Sequence, residues 1–465
     1  MSVPSELISQ LNNLLGHEAV DVSPATLDAT SFDTWPVVVK EHMLGQHNYR
    51  ADVVVRPSSF EAVPQVLSLA TEFGVPLTVR ALASSVTGQP LPVRGGIVLD
   101  VSAIPATMDF NEQNMTVTAT ASMRGSDLQD ALAQQGYTLG HSPQSLYRST
   151  VGGWLATLAT GQFSSMYGGI EDLVTGYTVV LATGETVHLK ASPRAAMGPD
   201  LRRVFIGSEG TLGVITSVTL KVFRGNLPTL LRTYSLPSVD AGLEFMREQA
   251  LLGLRPFLLR LYDTDEARHA MVDENFSTPA CFVGTRGPEA LARVEMDILD
   301  DLLTNLGGID IGPQGVDAWM DRRFDFSSVE NLLATPGGFA ETIEVAHNWD
   351  GIGKLYQELK KALTPLADEV LSHFSHVYTQ GTSMYMILLG KAPSDEAAVG
   401  RLREIWATAM DICLENDAEL SHHHGGGLVR SPYSERSLGS AHVVLRRIKA
   451  ALDPAGILNP GKLGL

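Results

Sequence analysis

Three histidines in a row, His422, His423 and His424, followed by Gly425, Gly426 and Gly427, are the densest group of reactive side chains in the chain. Imidazole titrates near neutrality, so such a cluster suits proton transfer. Read as an extended segment, the run points His422 and His424 one way and His423 the other. Tyr385 lies on an alternating stretch from Ser383 to Leu389, where it reads either as a core tyrosine or as a proton-handling phenol.

A second kind of chemistry is suggested by three glycine-bearing loops. Arg80 to Gly88 follows a β-type run, Ser149 to Trp154 opens a helical stretch, and Gly207 to Ile215 runs into a strand. Small residues and hydroxyls at such turns let backbone N–H groups approach a pyrophosphate without basic side chains. Each loop alone also reads as ordinary turn glycine; the three in order favour a bound dinucleotide. No strand-linked GxGxxG accompanies them, so a Rossmann site is excluded. The segment Gly456 to Lys462 imitates a P-loop, but Leu463 stands where a Ser or Thr would hold magnesium, and that reading is rejected.

These loops need a scaffold, and the hydrophobic pattern supplies one. Between Tyr49 and Leu220, short β-branched runs such as Asp52 to Arg56 and Ile97 to Asp100 alternate with helical stretches, among them Ser59 to Phe73 and Ser126 to Gln135, the latter capped by Ser126. A hairpin is expected to turn at Thr183-Gly184. The run Arg224 to Pro228 breaks the pattern and marks a boundary, and a helix over Ser434 to Leu452 is expected to pack back on the first domain. The expected organisation is α+β, with residues 1–224, 225–428 and 429–465 as a first domain, a second domain and a returning segment.

The 465 residues are 44% hydrophobic, enough for substantial cores, and carry 34 Lys+Arg against 52 Asp+Glu. A formal net charge of −18 argues against nucleic acid as a partner. Cys281 and Cys413 stand far apart with no CxxC, which disfavours a disulfide framework and fits a reducing compartment. With neither a signal peptide nor a membrane span visible, a cytoplasmic enzyme acting on a small molecule is expected, with a homodimer left open.

The order of motifs resembles the vanillyl-alcohol oxidase, or PCMH-type, family of FAD enzymes. It rests on Arg56-Pro57, the 80–88 loop, Gly140 to Ser145, Thr150 to Trp154, Tyr167 to Asp172, Gly207 to Ile215 and Asn459 to Lys462. The resemblance implies an FAD-binding domain and an antiparallel-sheet cap over the substrate. It assigns Arg80, Ala81, Leu82, Ala83, Ser84 and Ser85 to the pyrophosphate. It assigns Pro143, Ser145, Thr150, Gly152, Gly153, Thr157 and Gly161 to the flavin, and Glu209, Gly210, Val214 and Ile215 to the adenine side and isoalloxazine. Ala81 and Ala83 stand where the family often has glycine, and Ser84 stands where covalent relatives carry a flavin-linking histidine, so dissociable FAD is expected.

Within the family the chain is most similar to the alkylglycerone-phosphate synthases, through Arg260 to Asp263, Arg323-Phe324, Glu341 to Glu344, Ser375 to Tyr385 and Ser421 to Gly425. That similarity implies proton handling by Tyr385 and His422 to His424. Related D-2-hydroxy-acid dehydrogenases carry a metal set that would fall on His376, Tyr385 and His423; tyrosine at the second place breaks it, so no metal is expected. An ungapped alignment puts Glu330 where the synthases have an arginine for an anionic group, and a carboxylate reverses that sign. Arg260, Arg322 and Arg323 could hold a substrate carboxylate instead, with surface or structural arginines the plainer reading. The leading expectation is hydride removal from a hydroxyl-bearing carbon to flavin N5. A redox-neutral synthase using an N5 adduct and a non-catalytic flavoprotein are the alternatives.

Overall fold

The computed structural model describes residues 3–465. Its first sheet is small and mostly parallel: Val53–Val55 and Leu77–Arg80 flank Ile97–Asp100, and Val20–Asp21 pairs antiparallel at the edge. Val53–Val55 and Ile97–Asp100 are buried at every residue, as strands covered on both faces require. The helix Val63–Glu72 buries Val63, Val66, Leu67 and Ala70, one face at helical spacing, against this sheet.

A second, antiparallel sheet runs in the order Met108–Asn111, Thr116–Thr120, Val214–Lys221, Val174–Val180, Thr186–Leu189. The expected hairpin closes through Gly184, at φ +84°, whose amide donates to the Leu181 carbonyl. Thr216 and Gly152 are thereby brought together, since the Ala121 amide donates to the Thr216 carbonyl and the Ala121 carbonyl accepts the Gly152 amide.

Residues 229–391 build a seven-stranded antiparallel sheet in the order Ile309–Asp310, Thr229–Ser235, Ala280–Arg286, Leu258–Tyr262, Glu369–Val377, Gly381–Lys391, Gly338–Asn348. Alternation divides it cleanly. Leu259, Leu261, Val283, Phe374, Met384, Met386 and Leu388 face a layer of helices that includes Trp349–Leu363 and Asp395–Glu415. Arg260, Tyr262, His373, Tyr385 and Thr342 face the opposite way, into a cavity shared with the first domain.

Two local expectations are corrected. The helix expected from Ser126 begins at Gly125, and Ser126 hydrogen-bonds Asp127 rather than capping. Packing sets this start: a Cβ on Gly125 would come within 2.2 Å of the Trp154 ring. The single helix expected over Ser434 to Leu452 is broken into Ser434–Leu438, Gly439–Ala441 and His442–Leu452, because Gly439 adopts φ +52°. Its last part packs near Thr211, whose carbonyl accepts from Lys449 Nζ at 2.8 Å. The P-loop look-alike is a buried strap: Asn459 Nδ2 donates to the carbonyls of Gln89 and Glu209, and Lys462 Nζ to that of Leu91. Both cysteines are free and buried, and no described helix is long and apolar enough to cross a membrane.

Candidate active site

The cavity between the two sheets and the loops has a volume of about 900 Å³, at the upper end for a cofactor site. One side is made by the loops singled out from the sequence. Ala81 to Ser85, Pro143, Ser145, Thr150, Gly152, Gly153, Thr157, Glu209, Gly210, Val214 and Ile215 all line it. Arg80 and Gly161 do not: the Arg80 guanidinium donates to the Phe32 carbonyl at 2.8 Å, and Gly161 packs so tightly on Ser142 that a Cβ would lie 2.4 Å from its amide nitrogen. Both shape the loops from behind.

The loops fit FAD by their chemistry. The 81–85 segment offers small side chains, hydroxyls and backbone N–H groups, the donor set a pyrophosphate uses. Gly152 cannot carry a side chain, since a Cβ would approach that of Ala121 to 2.6 Å. Ala83 adopts φ +51°, so the left-handed geometry usual for glycine persists here on alanine. The loop is pinned by two residues the sequence did not single out. Asp33 accepts from Ser85 Oγ at 2.8 Å and the Gly88 amide at 2.9 Å, and Thr34 Oγ1 donates to the carbonyls of Ser84 and Ser85. Burial pushes the Asp33 carboxyl up to about 6 despite these donors.

Opposite stands the cap sheet. Tyr262 pairs with His373, His373 with Tyr385, and Tyr385 with Glu344, a single row across four strands. His373 and Tyr385 stack with centroids 4.8 Å apart and planes 13° from parallel. Burial raises the Tyr385 phenol well above its ordinary value.

The histidine loop does not alternate as an extended segment. Glu344, fully buried, accepts the amides of His422, His423 and His424 together with the Ser421 hydroxyl, so three successive N–H groups curl around one carboxylate. Burial opposes the Glu344 charge, but Arg430 at 3.1 Å and the histidines override it and hold the carboxyl far below its usual range. His423 and His424 line the cavity, and His422 turns away to Tyr378, whose hydroxyl lies 2.7 Å from Nε2. Burial lowers His422 and His423 to about 3 and His424 to about 4. These imidazoles are therefore neutral at pH 7 rather than titrating there.

His376 also lines the cavity, at φ +56° on a β-bulge that re-aims its ring toward Ser164 Oγ at 2.7 Å. Ring nitrogens of His376, His422 and His423 lie within 4.8 Å of one another, a spacing that suits a cation, with His422 rather than Tyr385 beside His376 and His423.

The arginines separate by their partners. Arg322 donates to the backbone carbonyls of Ala270 and Ala318, and Arg323 to Met320 while lying over Phe324. Arg260 is buried between Tyr262 and Trp319; its Nε donates to the Tyr262 hydroxyl at 2.9 Å, and among the described residues no carboxylate pairs with it. Glu330 is half-exposed and forms an ion pair with Arg148, so its charge, expected to oppose an anionic group, is solvated and paired. Sequence reasoning also missed Glu266, whose carboxylate oxygens lie 2.8 and 2.9 Å from His373 Nδ1.

Comparison with known proteins agrees with this architecture. Residues 51–190 match the family described as FAD binding domain, and residues 231–463 match FAD linked oxidases, C-terminal domain. The chain is 30% identical, over 98% of its length and 98% of the relative's, to the uncharacterized FAD-linked oxidoreductase YgcU of Escherichia coli K12. It is 26% identical to alkyldihydroxyacetonephosphate synthase of Dictyostelium discoideum, over 90% of this chain and 74% of that protein. It is 27% identical to the mitochondrial D-lactate dehydrogenase [cytochrome] of Arabidopsis thaliana, over 99% and 80%. A solved alkyldihydroxyacetonephosphate synthase structure superposes with a TM-score of 0.83 at 22% identity, covering 99% of this chain and 86% of that one. The chain belongs to the FAD-linked oxidase family and is an FAD-linked oxidoreductase.

Proposed function

We propose that the protein oxidises a small 2-hydroxy acid with non-covalently held FAD. Arg260 carries this reading. A buried guanidinium without an anion is costly, and its planar donor fork matches a carboxylate. Its Nη groups have no hydrogen-bond partner among the described residues and its side chain lines the cavity; Glu266 acts on it without an ion pair, so a substrate carboxylate would complete its pairing. The likeness to a D-lactate dehydrogenase, named for a 2-hydroxy acid, supports the choice.

Backbone N–H groups of Ala81 to Ser85 would hold the pyrophosphate, with Pro143, Thr150, Gly153, Val214 and Ile215 against the ring system. When bound, the flavin supplies the acceptor for the hydride that leaves the hydroxyl-bearing carbon. Tyr385, His423 and His424 provide a hydrogen-bonding wall opposite, while Trp319 and Tyr262 keep water from the anchored carboxylate.

The test is anaerobic mixing of the yellow holoprotein with D-lactate, glycolate and longer 2-hydroxy acids, with uncharged alcohols as controls. Bleaching by the acids and not by the alcohols is expected. A redox-neutral transfer is the second reading, favoured by the similarity to the synthase and by the volume of the cavity. Ether-bond formation from a long-chain alcohol without bleaching would establish it instead.

A further inference from the structure

We infer that His373, held by Glu266, is the base that takes the substrate's hydroxyl proton. This deepens the 2-hydroxy-acid reading and rests on it.

The arrangement is a carboxylate–imidazole dyad with one open nitrogen. Nδ1 of His373 lies 2.8 and 2.9 Å from the Glu266 carboxylate oxygens. Nε2 has no partner among the described residues and is not sealed off, and the side chain lines the cavity. An imidazole that donates from Nδ1 to a carboxylate presents its Nε2 lone pair outward, the geometry of an oriented base.

Position relative to Arg260 singles this dyad out. Arg260 and Tyr262 lie two residues apart on one face of the strand Leu258–Tyr262, and Tyr262 is the direct cross-strand neighbour of His373. Tyr385 lies one strand further, and His423 and His424 beyond it. In a 2-hydroxy acid the reacting carbon is bonded directly to the carboxylate carbon, so an acid anchored on Arg260 keeps its hydroxyl near the first open acceptor in the row.

The step balances without a further reagent. The C–H bond breaks with its electron pair going to FAD, the oxidant; the O–H proton passes to His373 Nε2; the O–H electron pair becomes the second C–O bond of the keto product. Glu266 is a positioning residue, keeping Nδ1–H as donor and stabilising the imidazolium. The charged or titratable groups acting on the pair are Arg260, Tyr262, Asp263, His269, Lys360, His376, Tyr385 and His423. Burial lifts Glu266 up to about 7 and presses His373 well down.

Holoprotein carrying His373→Gln, Glu266→Gln or Glu266→Asp is mixed anaerobically with a 2-hydroxy acid that bleaches wild type. Reduction slows by about 10²- to 10⁴-fold in H373Q, the usual contribution of a general base, with FAD retained. E266Q loses less and loses the pH limb near neutrality, and E266D recovers part of the rate. Independently of turnover, imidazole ¹⁵N spectra of wild type above pH 8 show Nδ1 protonated and Nε2 bare. Wild-type rates in H373Q, or a protonated Nε2 in those spectra, would overturn the assignment while leaving the hydroxy-acid reading intact. Failure of every 2-hydroxy acid to bleach wild type overturns the parent reading, and this one with it.

Discussion

Arg148, on the loop after Ser145, and Glu330, on the helix Ser327–Ala334, form an ion pair across the edge of the cavity, joining the flavin side to the cap. The pair is half-exposed, and such contacts contribute about 0.2–1 kcal/mol. Glu330→Gln therefore costs little stability. It frees Arg148, so a phosphorylated competitor should bind up to about fivefold tighter, the factor that such a small energy allows. Competitive inhibition against the identified acid measures this; unchanged inhibition would show that Arg148 does not face the ligand.

Ala83 predicts the behaviour of the pyrophosphate loop. Its φ of +51° costs an L-residue about 1–2 kcal/mol, part of which glycine returns through the greater freedom of the unfolded chain. Ala83→Gly should leave FAD affinity equal or tighter, read by fluorescence titration of apoprotein. Ala83→Pro, whose ring forbids positive φ, should abolish binding. Weaker binding in A83G would mean that the loop geometry differs from that described.

FAD should leave the protein on acid or heat precipitation, because Ser84 offers no imidazole for a covalent link and the loop holds the cofactor through hydrogen bonds. A yellow pellet after washing would contradict this.

The pH dependence of flavin reduction should follow Glu266 rather than the histidine loop. Below pH about 7 Glu266 takes a proton, Nδ1 of His373 becomes the acceptor within the dyad, and Nε2 is lost as a base. The rate should therefore fall as pH drops through that value and level off above it. His423→Gln and His424→Gln should change the rate while keeping this limb, since burial holds both imidazoles neutral from pH 7 down to about 4 or lower.

Glu344 should behave as an anchor. Neutralising it in Glu344→Gln leaves Arg430 buried without its counter-charge, a change worth about 3–5 kcal/mol. Melting of the cap should drop by many degrees. Because its folded-state pKa is depressed, the stability Glu344 contributes is fully present above the ordinary carboxylate range and drains away progressively as pH falls from that range toward the depressed value.

Sequence reading reached the loops because their chemistry is local. Ser84, Gly152 and Gly210 mark backbone approach by residue size, and size is visible in a string of letters. It reached Arg260 and Tyr385 through resemblance. It did not reach Glu266 and His373, which lie more than a hundred residues apart and meet only through the register that sets Tyr262 opposite His373. The histidine loop was misread for a similar reason: local alternation predicts opposite faces, but Glu344, brought in by another strand, gathers three consecutive amides. Asp33, from the helical N-terminal region, carries no motif, and its role exists only because the 85–88 loop closes over it.

The strap formed by Asn459 and Lys462 has a consequence for biosynthesis. Asn459 spans the carbonyls of Gln89 and Glu209, and both Asn459 and Glu209 line the cavity. A ribosome that has released the whole first domain has thus made every flavin loop yet left the wall behind them unbraced. The nascent first domain is expected to wait for the cap and its return segment before it can retain cofactor, which couples flavin loading to completion of the chain rather than to domain-by-domain folding.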